Sequence, residues 1–281
     1  VASGGNPNYG AGIYMTGGTV TNCVVRGNQG GANNTYGGGI WLNSGRVTRS
    51  TISGNSLASS DRCHGGGIDM YGGTVDFCTI SNNSLANSIY GSTYGEGNKG
   101  GAGMVVFGGL VRNCLLMGNQ NDNNTGVEGD HGGGMTLLGG AVENCTIVRN
   151  KTRSTGGGLY LTTGTVTNTI IYHNGATVSS NVNTAVGFAY SCAPELTADA
   201  NGNRVADPIF EATGAGYGLT CTPGDYRLKP RSPCANGGTN SVSWMTNAVD
   251  LAGGPRILNN IVDMGAYEVQ LLPPGSVFRF R

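Results

Sequence analysis

Charge is scarce in this chain: only 11% of its 281 residues are charged, and sixteen basic side chains are matched by sixteen acidic ones. With no excess of either sign there is no basic stripe to follow a phosphate backbone, so nucleic-acid binding is not expected. Long apolar runs are missing too. The longest, such as Met104 to Phe107, fall far short of the roughly eighteen residues that cross a bilayer, so no membrane span is expected. Helical periodicity is absent. Eight cysteines are too sparse for a disulfide-built miniprotein, and no C-x-x-C, G-x-S-x-G or H-E-x-x-H occurs, so neither a metal nor another cofactor is expected. Gly95 to Gly100 matches a dinucleotide fingerprint in letters alone, since no βαβ context surrounds it.

What is plentiful is glycine, 52 residues, and it recurs in register. Gly10 to Asn28 reads GAGIYMTGGTVTNCVVRGN, and Gly37 to Asn55 reads GGGIWLNSGRVTRSTISGN. The same nineteen-residue unit returns without gaps at Gly65 to Asn83, Gly101 to Asn119, Gly132 to Asn150 and Gly156 to Asn174. The spacers between units vary from five to seventeen residues. A fixed unit with a variable insertion is the signature of a solenoid whose turns superimpose while loops leave from one edge.

Inside the unit, apolar positions alternate: Ile13 and Met15, then Val20, then Cys23 and Val25, with a glycine pair and a bend near Asn22 between them. Such short strands bury no core alone. Stacked in parallel at about 4.8 Å per turn, they place like on like. Ile13, Ile40, Ile68, Met104, Met135 and Leu159 form one column, and Cys23, Ser50, Cys78, Cys114, Cys145 and Thr169 a second. A third, Asn28, Asn55, Asn83, Asn119, Asn150 and Asn174, closes each unit. A stacked amide can donate to one neighbouring rung and accept from the other, and it tolerates the left-handed backbone of a corner. Glycine at the head of the unit is expected where a Cβ would strike the next turn. Cys78, Cys114 and Cys145, one rung apart, are expected to remain thiols because about 4.8 Å is too long for the usual Cβ separation of a disulfide.

These residues resemble the right-handed parallel β-helix repeats of the pectate-lyase-like superfamily. The GGGI and closing-Asn pattern is also similar to repeats of bacterial surface autotransporter passengers. Asp207-Pro208, Asp225 to Leu228, Ser232-Pro233-Cys234, Asp250-Leu251, Pro255 to Ile257 and Asp263 to Glu268 look like the end of large secreted bacterial β-helix proteins with a choice-of-anchor C-terminus. Ala252 and Gly253 stand where that group often has Asp-Gly. The fold expected is therefore all-β: a right-handed parallel β-helix over residues 1–190, then an irregular β-rich cap over 191–281 packed on the last coil. A degenerate coil is expected near Val182 to Cys192, and a closing strand at Val277 to Arg281. The start at Val1, without a leader, reads as a processed chain or a piece of a longer one. An open first edge would belong either to upstream coils or to another molecule.

Low charge with abundant Gly, Asn, Ser and Thr suggests an extracellular or cell-surface protein. The function expected is a structural or adhesive surface element that associates with copies of itself. The competing expectation is a carbohydrate-active enzyme or glycan-binding module. Candidate catalytic groups are His64, Asp130 and His131, with Arg62, Asp69, Glu96, Lys99 and Glu128 nearby; two coils, about 10 Å, separate the two histidines. Tyr14 and Trp41, in one outward row with Tyr160, are the candidate glycan platform. Tyr71, Val105, Phe107, Leu115, Met117 and Leu138 are outward apolar positions, to be covered by the Ser84 to Gly100 spacer, by a second subunit or by sugar rings. His173 reads as surface, and a bridge between Cys192 and Cys221 is the disulfide expected in the tail.

Overall fold

The computed structural model of the chain describes residues 8–31, 35–58, 63–86, 100–122, 131–241, 243–258 and 260–269. Asp130, Arg62, Glu96, Lys99, Glu128, most of the Ser84 to Gly100 spacer and the Val277 to Arg281 segment lie outside the described residues. The chain is a parallel β-solenoid. In the first unit the strands are Ile13–Met15, Thr19–Thr21 and Val24–Arg26, and the equivalent strands of later units stack on them in parallel register. Three long sheets result, of six, seven and six strands. We call them the first, second and third faces.

The register is the one the repeats require. Ile13 pairs with Ile40, and the column continues through Ile68, Met104, Met135 and Leu159. From the second coil onward those side chains are buried in one core with Leu42, Met70, Val75, Ile80 and Leu116. Each fully buried aliphatic side chain contributes about 1.5–3 kcal/mol, so a core that no single unit could assemble forms cooperatively along the stack.

The spacers are less irregular than their sequences suggest. They open with short strands, among them Ser56–Ala58 and Ser84–Ala86, that form a five-stranded sheet. Leu57 and Leu85 there pack with Cys63 and Ala102 in a small second core. Asn8–Tyr9, Thr35–Tyr36 and Cys63–His64 form a further three-stranded sheet that leads back into the first face.

Corners are made by left-handed backbone. Between the second and third faces stands the column Asn22, Arg49, Phe77, Asn113, Asn144 and Asn168, with φ between 48° and 52°. The next residue is the Cys, Ser or Thr of the second column, and its role becomes clear. Ser50 Oγ donates to the Thr48 carbonyl at 2.8 Å, and the thiols of Cys78 and Cys114 donate to the carbonyls of Asp76 and Arg112 at 3.2 and 3.1 Å. The position needs a small donor to quiet the carbonyl two residues back, which is why Cys, Ser and Thr interchange.

At the closing corner the left-handed residue precedes the ladder asparagine. It is Gly27, Gly54, Asn82, Gly118, Arg149 or His173. The expectation that the ladder asparagines themselves take this conformation is corrected: they are selected for their amides. Asn55 Nδ2 donates to Asn83 Oδ1 at 2.9 Å and to the Val25 carbonyl at 3.0 Å, while its backbone N–H also donates to Asn83 Oδ1 at 3.0 Å. The same links join Asn28 to Asn55, Asn83 to Asn119, Asn119 to Asn150 and Asn150 to Asn174. The third glycine of each head faces this column. A Cβ on Gly134 would lie 2.5 Å from the Gly158 carbonyl oxygen and 2.8 Å from Asn150 Nδ2.

Beyond Asn174 the pattern degenerates but the stacking continues. Leu159 bridges Val182, Val166 pairs with Phe188, and Ile170 bridges Cys192. The C-terminal segment then turns back along the flank of the solenoid instead of lying over the last coil alone. Phe210, Tyr226, Leu228 and Met264 cover Leu115, Met117, Val148 and Ile170 on the outside of the third face. Within it, Phe210–Ala212 and Asp225–Leu228 form an antiparallel pair.

Candidate functional site

The outer side of the first face carries the residues that the sequence offered as a platform. Tyr14, Trp41, Asp69, Val105, Thr136 and Tyr160 form one outward column. On one side of it run Tyr9, Tyr36 and His64, followed by Gly100 and His131. Tyr71, Phe107 and Leu138 lie on the other.

Stacking at strand spacing turns these columns into a nearly continuous aromatic surface. The Tyr14 and Trp41 rings lie 4.8 Å apart and 4° from parallel. Tyr9 is 4.8 Å from Trp41, Trp41 is 5.5 Å from Tyr71, and Tyr71 stacks on Phe107 at 4.5 Å. Tyr36 stacks on His64 at 4.3 Å, and His64 meets Phe107 edge-on at 5.6 Å. Trp41 is only 8% exposed, whereas Tyr14 and Tyr71 are 57% and 40% exposed. The tryptophan is therefore the floor, and Tyr9, Tyr14 and Tyr71 are the plates that face outward.

Beneath the rings is a small polar centre. Asp69 is fully buried, and burial pushes its carboxyl above the usual range, partly offset by His64. His64 Nδ1 lies 3.1 Å from Asp69 Oδ1, off the line of a well-directed hydrogen bond. Among the described residues, neither carboxylate oxygen meets an aligned donor and the indole N–H of Trp41 on the adjacent rung meets no acceptor. His64 is itself buried, so it does not present an acid or base to solvent.

The two candidate histidines do not converge, because Gly100 occupies the rung between them. His131 stacks instead on Tyr160 at 4.0 Å. His173 is half-buried, not on the surface: it lies 3.6 Å from Asp207, and burial lowers its pKa. Among the described residues no group of His, Cys, Asp and Glu is arranged to hold a metal ion, and no helix is long and apolar enough to cross a membrane.

Three residues of the expected apolar interface are corrected. Val105 is fully buried, and Leu115 and Met117 are covered by the chain's own C-terminal segment. The expected bridge between Cys192 and Cys221 is corrected as well: all three tail cysteines, Cys234 included, are free thiols in this structure, and Cys221 is turned to a different neighbour from Cys192. Cys221 Sγ lies against Gly118, while Cys192 lies beside Cys234.

Sequence reasoning did not find how the tail is held. Asn113 Nδ2 donates to the Val249 carbonyl at 3.1 Å, and Asn168 exchanges two hydrogen bonds with the Thr239 backbone at 2.9 and 2.8 Å. Arg256 is fully buried. It donates to Asn113 Oδ1 at 3.2 Å, to the carbonyls of Asp263 and Gly265 at 2.9 and 2.8 Å, and pairs with Glu268 at 2.9 Å. Asp250 and Asp263 turn their carboxylates to backbone N–H groups within the tail. The C-terminal motifs thus act as a clasp. A signal was present: outward residues of the third face change from Thr51, Ser53, Thr79 and Ser81 to Leu115, Met117, Val148 and Ile170 where the tail lies.

No family model, no curated protein and no solved structure matches this chain.

Proposed function

We propose that the chain is an extracellular adhesive scaffold that binds carbohydrate on the outer side of its first face. The observation that carries this reading is the row of exposed rings, Tyr9, Tyr14 and Tyr71, set around the nearly buried Trp41. Exposed aromatic surface held in place by the sheet suits the C–H faces of sugar rings and loses little ordering entropy on binding. The repeat along the stack, about 4.8 Å per rung, favours an extended saccharide over a single small sugar. Calorimetric titration with a panel of soluble neutral polysaccharides tests it. Tyr14→Ala and Tyr71→Ala should each weaken binding about tenfold, equivalent to about 1.4 kcal/mol, without changing thermal stability. Absence of binding to the whole panel, or unchanged affinity in the double variant, would overturn the reading.

A second reading, association with further copies of the chain, rests on the same exposed rings of Tyr9, Tyr14 and Tyr71, which suit an apolar surface on another copy. Light scattering across a hundredfold concentration range tests it: a constant monomer mass would exclude this reading and leave the carbohydrate surface untouched.

A further inference from the structure

The cysteines divide by the side of the sheet they occupy. Cys78, Cys114 and Cys145 lie in the solenoid core, one per rung, each with its thiol turned to a carbonyl two residues back. Cys192 is different. It follows Ile170 in the outward column of the third face, which runs Thr79, Leu115, Thr146, Ile170, Cys192. Its side chain is thus beneath the C-terminal segment, in the cluster that also contains Cys234.

Cys234 arrives from the tail, held by the Ser232 hydroxyl at its N–H and by the Met264 N–H at its carbonyl, both at 3.0 Å. Cys192, whose thiol donates to the Ala206 carbonyl at 3.3 Å, and Cys234 belong to the same buried cluster beneath the C-terminal segment, and both are fully buried free thiols.

We propose that Cys192 and Cys234 are the disulfide-forming pair of this protein, joining the last coil to the C-terminal segment when the chain folds in the presence of an oxidising thiol–disulfide couple. One thiolate attacks a sulfur of a small-molecule disulfide such as oxidised glutathione and releases one reduced thiol. The second thiolate attacks the protein sulfur of that mixed disulfide and releases the other. Two S–H bonds are replaced by one S–S bond, and the oxidant leaves as two thiols. Exchange precedes final closure of the tail, which afterwards shields the bond.

Geometry disfavours the alternatives. Core cysteines on adjacent rungs have parallel Cβ directions about 4.8 Å apart, beyond the mean of about 3.8 Å in disulfides. Cys221 is held against Gly118 by the Gly218–Thr220 turn, whose Gly218 N–H donates to the Arg149 carbonyl at 2.7 Å.

The test uses the full chain refolded with a reduced and oxidised glutathione couple, then alkylated under denaturing conditions and digested with trypsin without reduction. Cleavage after Arg153, Arg204, Arg227, Arg231 and Arg256 places Cys192, Cys221 and Cys234 on three different peptides. The expected result is loss of two of the eight alkylatable thiols and one linked species carrying Cys192 and Cys234. Cys221→Ser should retain that species, and Cys234→Ser should restore an alkylatable Cys192. Eight alkylated thiols in the wild-type chain, or a linkage between any other two cysteines, would overturn the proposal.

Discussion

The Glu195 carboxylate receives both donors of Asn181, its backbone N–H at 2.9 Å and its Nδ2 at 3.2 Å. Asn181 in turn receives the backbone N–H and Nδ2 of Asn174, at 3.1 and 3.2 Å. The asparagine ladder passes donors in one direction along the stack, so its far end must accept without needing a further acceptor. A carboxylate, which offers acceptor oxygens and carries no N–H, does this. Glu195→Ala strands the Asn181 donors and should cost about 1–3 kcal/mol in urea unfolding. Glu195→Gln, which keeps one acceptor oxygen, should cost less.

Position in the ladder sets the price of a deletion. Asn119 is fully buried and is bonded on both sides, whereas among the described residues Asn28 is bonded to the rung of Asn55 alone. Asn119→Ala should therefore destabilise the chain by at least about 3 kcal/mol, and Asn28→Ala by about 1 kcal/mol. Equal losses would show that the amides act singly and not as a column.

Two glycine substitutions separate close approach from flexibility. Gly134→Ala must displace the Gly158 carbonyl and the Asn150 amide and should cost about 1–3 kcal/mol or more. Gly17→Ala meets nothing within 4 Å and should lie within about 0.5 kcal/mol of wild type. Thermal melts of the two variants decide the matter.

The clasp should respond to pH. Burial pushes the Glu268 carboxyl up to about 9 from its ordinary 4.5, against the pull of Arg256, and burial raises Asp263 in the same direction. With a raised carboxylate, the stability contribution is fully present below pH 4.5 and is lost as pH rises towards about 9, because the unfolded chain gives up the proton first. The urea midpoint of the tail, followed by Trp244 fluorescence, should fall between pH 5 and pH 8. Glu268→Gln, neutral throughout, should flatten that fall.

The fold was legible because stacking is an in-register operation: six ungapped units ending in Asn28 through Asn174 could superimpose in only one way. Asn22 was also readable as a bend, since a short polar side chain suits left-handed backbone. Leu115 and Met117 were read as outward, which they are, but periodicity within a coil says nothing about a segment a hundred residues downstream. The aromatic rows were visible, yet that Tyr9, Tyr36 and His64 join the Tyr14 and Trp41 column depends on where the spacers re-enter the sheet, and spacer lengths vary. Asp69 gave no warning of burial because its column is otherwise an outward one.

The central claim is that the closing asparagines form one hydrogen-bonded column, and side-chain amide exchange by NMR addresses it most directly. Five carboxamides, those of Asn55, Asn83, Asn119, Asn150 and Asn174, should exchange with solvent at least a thousandfold more slowly than an exposed asparagine and should show contacts to the amides one rung away. Exchange at the exposed rate, or contacts confined to each residue's own coil, would contradict the account.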